Sequence, residues 1–246
     1  MVIVFANEGK ILFDKHCVAC HTPFISMSKL KENFLDHNNT LLKLKAPTLN
    51  QLSYRLKQRI GDPKGDNDIH RMEVTAFMSD YVYHPDKEKS VCLADVIQHF
   101  KTMPSLKGKV SEDALEEIGT YLYDYDNKVI KEKSVKYEGF AVALKRAKKE
   151  HKTIMIKAMT EDCHYCRKME REVMIEKEVT KALNKDFITV MVDVSKVKLP
   201  LGLKSELTPT FIFVDEESKI LMNIPGFWDK TDFLQILKEV KLKDKK

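Results

Sequence analysis

The chain has 246 residues, of which 43% are hydrophobic and 32% charged, a length that allows two modest domains, each with its own core. A net charge of +5 at pH 7 is too small to indicate nucleic-acid binding. Five cysteines are too few for a disulfide scaffold, and no apolar run reaches the roughly 18 residues of a membrane helix.

The first six residues, MVIVFA, have the pattern of the end of a signal peptide. Val4 and Ala6 are small residues spaced like those before a cleavage site. Because six residues are too few for a whole signal, we interpret residues 1–6 as the remnant of a signal peptide whose beginning is missing here. An ordinary N-terminal end of the folded chain fits these residues equally well.

The first half of the chain has the patterns of helices and loops. Apolar spacing predicts helices over residues 7–16, 50–60, 71–83, 90–100 and 111–125. The last of these begins with Ser111, a favourable N-cap, and the Gly, Pro, Asp and Asn residues of 61–68 predict a turn. Residues 7–126 are therefore predicted to form an all-α domain.

From residue 127 the pattern changes to alternating helices and strands. A polar, lysine-rich stretch over 127–136 is the predicted linker, and the second domain covers 137–246. Within that domain, helices are predicted over 140–152, 166–186 and 229–242, and strands over 153–159, 187–194 and twice within 208–226. This order predicts an α/β domain with a central mixed sheet and helices on its faces.

The sequence CVACH at 17–21 is typical of covalent attachment of a c-type haem. The thiols of Cys17 and Cys20 add to the two vinyl groups of the haem, and His21 then binds the iron. A disulfide and a partial zinc site are the alternatives. The next C-x-x-C pair starts only at Cys163, far beyond the roughly 15–20 residues that separate the pairs of a zinc ribbon.

Residues 7–126 also resemble class I cytochromes c. The segments EGKILFDKHCVACH, KTMPS and ALEEIGTYLYDY are similar to that family's first helix and haem motif, its ligand loop and its final helix. The resemblance implies one covalent haem c whose iron is bound by His21 and Met103. It implies further that the carbonyl of Pro47, in APTL, holds His21, and that the final helix crosses the first near Gly9 and Phe13.

Other sixth ligands to the iron remain open. Met72 and Met78 lie on a predicted helix, where methionine side chains usually pack in a core. Three histidines are placed near the surface or at helix ends, namely His70, His84 and His99. Cys92 is predicted to be a small buried residue on an apolar helix face.

The second pair, CHYC at 163–166, follows a predicted strand and begins a helix. The free N–H groups and the dipole of a helix N-terminus stabilise a thiolate, which lowers the pKa of Cys163. Cys166, one turn into the helix, is placed to resolve a mixed disulfide. A structural disulfide is the alternative. Because Arg167 rather than a histidine follows, no second haem is expected.

Residues 137–243 resemble the thioredoxin fold, especially the thioredoxin-like domains of periplasmic thiol–disulfide oxidoreductases. The C-x-x-C after a strand and the sequence TPT at 208–210 carry the resemblance. It implies that Pro209 is cis and faces the dithiol, and that the backbone of Thr208 binds a substrate segment.

The sequence departs from thioredoxin around the dithiol. Asp162 stands where the family often has a tryptophan, and Lys157 stands where thioredoxin proper has a buried acid. We expect Lys157 to extend to the surface, although a buried lysine would favour a thiolate. Since Glu161 and Asp162 act against a thiolate and a protonated His164 would favour one, the sign of the Cys163 pKa shift is left open.

The two motifs together predict a redox protein, a thiol–disulfide oxidoreductase carrying a haem domain for electron transfer. Dithiols of this class lie at roughly −120 to −270 mV, below the potential expected for a His/Met haem, so electrons are expected to run from protein thiols to the haem. The alternative is a disulfide reductase of cytochrome maturation or sulfur metabolism, with the haem domain as a separate carrier or docking module. A haem sensor is a third hypothesis.

Location and partners follow from the same chemistry. Because haem is attached covalently outside the bacterial cytoplasm, we expect a periplasmic protein. Its expected partners are protein thiols or disulfides and a respiratory electron donor or acceptor.

Overall fold

The computed structural model describes residues 5–244, and the chain divides into two compact units, Met1–Val129 and Ile130–Lys246. Among the described residues, no helix is both long and apolar enough to cross a membrane. Of the predicted signal-peptide remnant, residues 1–4 lie outside the described part, and residues 5 and 6 belong to the first helix.

The N-terminal unit is helical, as predicted. Its helices are α1 (Phe5–His16), α2 (Met27–Lys31), α3 (Leu49–Arg59), α4 (Asn67–Tyr83), α5 (Ala94–Ile97) and α6 (Glu112–Lys133), and a π-helical segment over Glu32–Asp36 follows α2. Side-chain caps contribute to their ends: the Asp66 carboxylate accepts hydrogen bonds from the backbone N–H groups of Asp68 and Ile69 at the start of α4.

Three predicted helices of this unit have different bounds in the structure. Helix α4 begins at Asn67, four residues before the predicted start. The helix predicted over 90–100 is reduced to the single turn of α5, because the Ser90 hydroxyl accepts the backbone N–H of Cys92 and competes with helical hydrogen bonding there. Cys92 is therefore half-buried in a non-helical segment. Helix α6 continues to Lys133, into the predicted linker, because buried Val129 extends the apolar stripe that includes Leu122.

Helices α1 and α6 approach closely at Gly9. A Cβ atom at this position would lie 2.3 Å from the backbone oxygen of Glu117 and 2.8 Å from the Cβ of Tyr121. One turn further along α1, the buried ring of Phe13 lies 5.8 Å from the ring of Tyr121. The crossing near Gly9 and Phe13 that the cytochrome c resemblance implies is thus present.

The C-terminal unit contains the predicted mixed sheet. Its elements are α7 (Phe140–Glu150), β1 (Thr153–Met159), α8 (His164–Glu172), α9 (Lys177–Asp186), β2 (Phe187–Asp193), a 3-10 turn (Pro200–Gly202), β3 (Thr210–Val214), β4 (Ile220–Pro225) and α10 (Lys230–Asp244). The strand order is β2-β1-β3-β4. Strand β1 pairs parallel with β2 and antiparallel with β3, and β3 and β4 form an antiparallel hairpin.

Both faces of this sheet are covered. Successive side chains of a strand point to opposite faces, so Ile154 and Ile156 of β1 face a core with Ala143 and Ala147 of α7. Met155, between them, belongs to the core on the other face, which α8, α9 and α10 cover.

The single helix predicted over 166–186 is wrong. The chain instead forms α8 and α9, with a break at 173–176. Three consecutive apolar residues in this break, Val173, Met174 and Ile175, are all buried. A continuous helix would turn these side chains about 100° apart and place one of them away from the core.

Candidate functional site

Cys163 and Cys166 form a disulfide at the start of α8, with an S–S distance of 2.10 Å. Cys163 is the N-cap residue, and its sulfur accepts the backbone N–H of Cys166 at 3.0 Å. Cys163 is half-buried, whereas Cys166 is 1% exposed. Cys163 is therefore the more accessible of the two disulfide-bonded residues, and Cys166 lies in the protein interior.

The sheet register brings Pro209 to the same edge as the dithiol. Ala158 of β1 pairs with Thr210 of β3, so the antiparallel register places Pro209 opposite the end of β1, from which the chain turns to Cys163. The Thr208–Pro209 peptide bond is cis, as the thioredoxin resemblance implies. Thr208 is half-buried, Pro209 is buried, and the carbonyl of Pro209 accepts the N–H of Gly226 at 2.7 Å.

An aromatic surface adjoins the disulfide. Tyr165, between the two cysteines, is 56% exposed, and its ring lies 5.4 Å from the ring of His164 and 6.5 Å from that of Phe227. The ammonium of Lys168 lies 4.5 Å from the Phe227 ring centre. Exposed rings of this kind supply apolar contact area to a bound polypeptide.

The expectation for Lys157 is wrong, because its side chain is fully buried instead of reaching the surface. Its ammonium is paired with the carboxylate of Glu170 on α8. Glu170 also accepts hydrogen bonds from the hydroxyls of Tyr137 at 2.6 Å and Ser134 at 3.1 Å. A buried lysine is tolerated here because an opposite charge compensates it.

Sequence reasoning missed Glu170 and its two hydroxyl donors. The available signal was spacing, since Glu170 follows Cys166 by four residues and so lies on the same face of the helix. Tyr137 and Ser134 lie in a segment whose sequence has no motif, and only the fold brings them to α8.

The first cysteine pair differs chemically from the second. Cys17 and Cys20 are unpaired thiols, so the disulfide alternative is absent from the structure. Burial, followed by the neighbouring Cys20, raises the pKa of Cys17 to about 11. Cys17 is therefore protonated at neutral pH and lacks the thiolate character of an exchanging dithiol.

His21 makes the hydrogen bond that the cytochrome c resemblance implies. Its Nδ1 lies 2.9 Å from the carbonyl oxygen of Pro47. Because a carbonyl only accepts, Nδ1 carries the proton, and in the neutral ring Nε2 carries the lone pair. Burial lowers the pKa of His21 and favours this neutral ring, while the Pro47 bond acts in the opposite direction. A neutral, oriented imidazole with a free lone pair is the form that binds iron.

Met103 lies half-buried in the irregular segment 101–106. This segment is attached to the end of α4: the Leu106 N–H donates to the Val82 carbonyl at 3.1 Å, and the Ser105 hydroxyl donates to the Tyr83 carbonyl at 2.7 Å. A ligand loop needs such attachment at its base, and the role of Met103 as iron ligand stays a prediction.

The structure also places the rival ligands. His70 lies in the first turn of α4, one of the two predicted kinds of position, and its side chain is buried. Both ring nitrogens are engaged, Nδ1 with the Tyr123 hydroxyl at 3.0 Å and Nε2 with the Ile60 carbonyl at 2.9 Å. Met78 is buried as predicted, whereas Met72 is 71% exposed and not a core residue.

The two remaining histidines have neighbours of their own. The His84 Nδ1 atom lies 3.1 Å from the Asp80 carboxylate, and the His99 ring stacks on Phe34 at 5.2 Å. Across residues 5–244, no three His, Cys, Asp or Glu side chains converge as an ion held by protein ligands alone would require.

A family of known domains matches the C-terminal unit. Residues 140–241 match the family described as thioredoxin-like domain. A protein of Aquifex aeolicus (strain VF5), described as uncharacterized, is 27% identical over 118 residues, which cover 48% of this chain and 72% of that protein.

Two solved structures are similar over the same share of the chain. The DsbH oxidoreductase is 22% identical, with a TM-score of 0.37, and covers 44% of this chain and 86% of its own. A thioredoxin from Thermus thermophilus is 24% identical, with a TM-score of 0.39. The similarity covers 45% of this chain and 90% of that thioredoxin.

For the N-terminal unit, only a helical architecture is supported, and the cytochrome c-like interpretation stays a prediction. The C-terminal unit has the αβααβββα order, the disulfide at a helix start and the family match. Residues 140–241 are therefore a thioredoxin-like domain with the Cys163–Cys166 disulfide at the start of its helix α8.

Proposed function

We propose that the protein exchanges disulfides with protein thiols at Cys163 and Cys166. The observation that carries this proposal is the unequal burial of the two sulfurs at the N-terminus of α8, in a thioredoxin-like domain. The exposed Tyr165 beside them offers contact area for a polypeptide partner.

In each exchange, the electrons and protons lost by one pair of sulfurs are gained by the other pair, so no further reagent is needed. In the direction of reduction, the Cys163 thiolate attacks one sulfur of a substrate disulfide, the substrate S–S bond breaks, and a mixed disulfide forms. The Cys166 thiolate then attacks the Cys163 sulfur and re-forms the bond present in the structure. Two electrons and two protons pass from the dithiol to the two substrate sulfurs. The same steps reversed oxidise a substrate dithiol.

Substitution of each cysteine tests the exchange. With dithiothreitol as the electron source, we expect the wild-type chain to reduce insulin disulfides and Cys163→Ser to lose the activity. Cys166→Ser, first reduced and then freed of dithiothreitol, should accumulate a mixed disulfide with insulin that is visible by mass spectrometry. Cys92→Ser is the matched control and should retain full activity. An active Cys163→Ser variant, or an inactive wild type, would contradict the proposal.

A second function is favoured by the His21–Pro47 hydrogen bond. We propose that Cys17, Cys20 and His21 hold one covalent haem c, with Met103 as the other iron ligand. The residues fit the group, because two unpaired thiols can each add S–H across a vinyl group, and His21 is held neutral with Nδ1 occupied. When bound, the haem supplies one-electron transfer.

Haem attachment is tested by expression with a cytochrome c maturation system. Covalent haem keeps its stain after denaturing electrophoresis, so we expect stain in the wild type and in Cys92→Ser, and none in Cys17→Ser/Cys20→Ser. Stain retained by the double variant, or absent from the wild type, would count against the haem.

The chain contains both the CVACH and the CHYC motif. On this basis we propose further that the protein couples thiol oxidation to one-electron transport. Covalent haem attachment is the reason to propose a periplasmic location. If the haem is absent while insulin reduction persists, disulfide reduction alone is the function.

A further inference from the structure

A buried ion pair joins β1 to α8, the helix that begins at the dithiol. Strand β1 alternates its faces, so Lys157 points to the same face as Met155, the face covered by α8. The Lys157 side chain is fully buried, and the Glu170 side chain is 17% exposed. The pair is therefore largely shielded from solvent, where charge–charge interactions are strong.

Helix α8 connects this pair to the dithiol. Cys166 and Glu170 are four residues apart on one helix, so their side chains lie on the same face, one turn from each other. Three donors hold the Glu170 carboxylate in place, namely the Lys157 ammonium and the hydroxyls of Tyr137 and Ser134. This arrangement holds the carboxylate, and the ammonium paired with it, on a side chain that starts one helical turn from Cys166.

The two charges act in opposite directions on the dithiol. An ammonium stabilises a nearby thiolate and a carboxylate destabilises it. We propose that Lys157 is a positioning residue for thiol–disulfide exchange: its ammonium, anchored by Glu170 one turn from Cys166, stabilises the thiolate of the reduced dithiol, and Glu170 limits that stabilisation. The inference rests on the proposed exchange at Cys163 and Cys166.

Other charged and titratable groups surround the dithiol. The turn before α8 contributes Glu161 and Asp162, the segment before α7 contributes Tyr137, and α8 contributes His164, Tyr165, Arg167, Lys168, Arg171 and Glu172. Glu161, Asp162, His164 and Arg167 are exposed, and the Glu161 carboxylate is paired with Lys196 at 2.6 Å. Water and salt screen these exposed charges. The other shielded pair on α8, Arg171 with Glu172 at 3.2 Å, lies five and six residues beyond Cys166 and so on other faces of the helix than Glu170.

Neutral variants on the two sides of the pair test this role. In reduced full-length protein, iodoacetamide alkylation of Cys163, read from its own peptide by mass spectrometry, measures the thiolate fraction at a pH below the thiol pKa. We expect Lys157→Met to slow alkylation about tenfold and Glu170→Gln to accelerate it by a similar factor. The double variant should lie between the single variants.

The redox equilibrium gives an independent readout. In glutathione buffers, a stabilised thiolate favours the reduced dithiol. Lys157→Met should therefore shift the equilibrium towards the disulfide, and Glu170→Gln towards the dithiol. Lys181→Met is the matched control, since it removes the same charge from an exposed position on α9, and it should change either readout less than about twofold.

The outcomes separate this inference from the function on which it rests. If Lys157 has only a structural role, Lys157→Met and Glu170→Gln will both lower stability, and both will change the alkylation rate in the same direction or not at all. This result overturns the inference, and insulin reduction by the wild type still supports the proposed function. If Lys157→Met does not fold, the two Glu170 variants still test the inference. It requires that Cys163 is alkylated faster in Glu170→Gln than in the wild type, and at nearly the wild-type rate in Glu170→Asp. Failure of wild-type insulin reduction contradicts the proposed function instead.

Discussion

The imidazole of His21 donates from Nδ1 to the carbonyl oxygen of Pro47 across 2.9 Å, joining residues that are 26 positions apart. The hydrogen bond selects one tautomer and fixes the plane of the ring. Both effects serve a metal ligand, because they direct the lone pair of Nε2 away from the backbone. This contact is the structural basis for the haem proposal.

Substitution of Met103 tests the second iron ligand. We expect Met103→Ala in the haem-loaded protein to open the sixth position, so that the reduced protein binds CO, while the wild type binds CO weakly or not at all. Loss of the thioether should also lower the midpoint potential. Absorption spectroscopy under CO measures the first effect and redox titration the second.

Met72→Ala is the matched control, because Met72 is a methionine of the same unit and is 71% exposed on α4. Its spectrum should match the wild type. CO binding by the wild type as strong as by Met103→Ala would exclude Met103 as a firm ligand and favour the sensor hypothesis.

Gly9→Ala should destabilise the N-terminal unit. The added Cβ would lie 2.3 Å from the Glu117 backbone oxygen, and a backbone atom cannot move aside as a flexible side chain can, so helices α1 and α6 must separate. We expect a loss of about 1–3 kcal/mol in the free energy of unfolding, measured by urea titration with circular dichroism.

Ile11→Ala controls for the change of side chain on the same helix. Ile11 is 59% exposed, so its replacement should change the free energy of unfolding by about 0.5 kcal/mol or less. Equal stability of Gly9→Ala and the wild type would show that α1 does not pack on α6 as closely as the structure has it.

Tyr137 should make the C-terminal unit sensitive to alkaline pH. Burial, followed by the charge of Glu170, raises the pKa of Tyr137 well above 10 in the folded protein. Between the unfolded and folded pKa values the folded state binds more protons, so stability is complete below about pH 10 and falls as the pH rises, by up to about 1.4 kcal/mol per pH unit.

Tyr137→Phe should remove this component of the pH dependence. At neutral pH the variant should lose about 1 kcal/mol of unfolding free energy, because the hydrogen bond to Glu170 is lost. The fluorescence of Trp228 reports on this unit, because it is the only tryptophan in the chain. Urea midpoints between pH 8 and about pH 11 give the slope. An unchanged slope in Tyr137→Phe would assign the alkaline sensitivity to other groups.

Much of the fold of the C-terminal unit could be predicted from local sequence patterns. The strand over 153–159, the helix start at the dithiol and the TPT segment have strong local signals, and the structure has β1 over the same residues and a cis bond before Pro209. The prediction of one helix over 166–186 was wrong. The three consecutive apolar residues at 173–175 are all buried, which breaks the helix, and their burial depends on the sheet beneath them.

For the N-terminal unit, the sequence alone determined the helical class and the C-x-x-C-H spacing at 17–21, since both depend on residues close together in the chain. It determined the two C-x-x-C pairs and the different residues that follow them. Only the tertiary structure decided which distant groups meet: Pro47 with His21, Tyr123 with His70, and Glu170 with Lys157. The burial of Lys157 is the clearest case, because the free energy of a buried ammonium depends on a carboxylate that the fold, and not the local sequence, brings within reach.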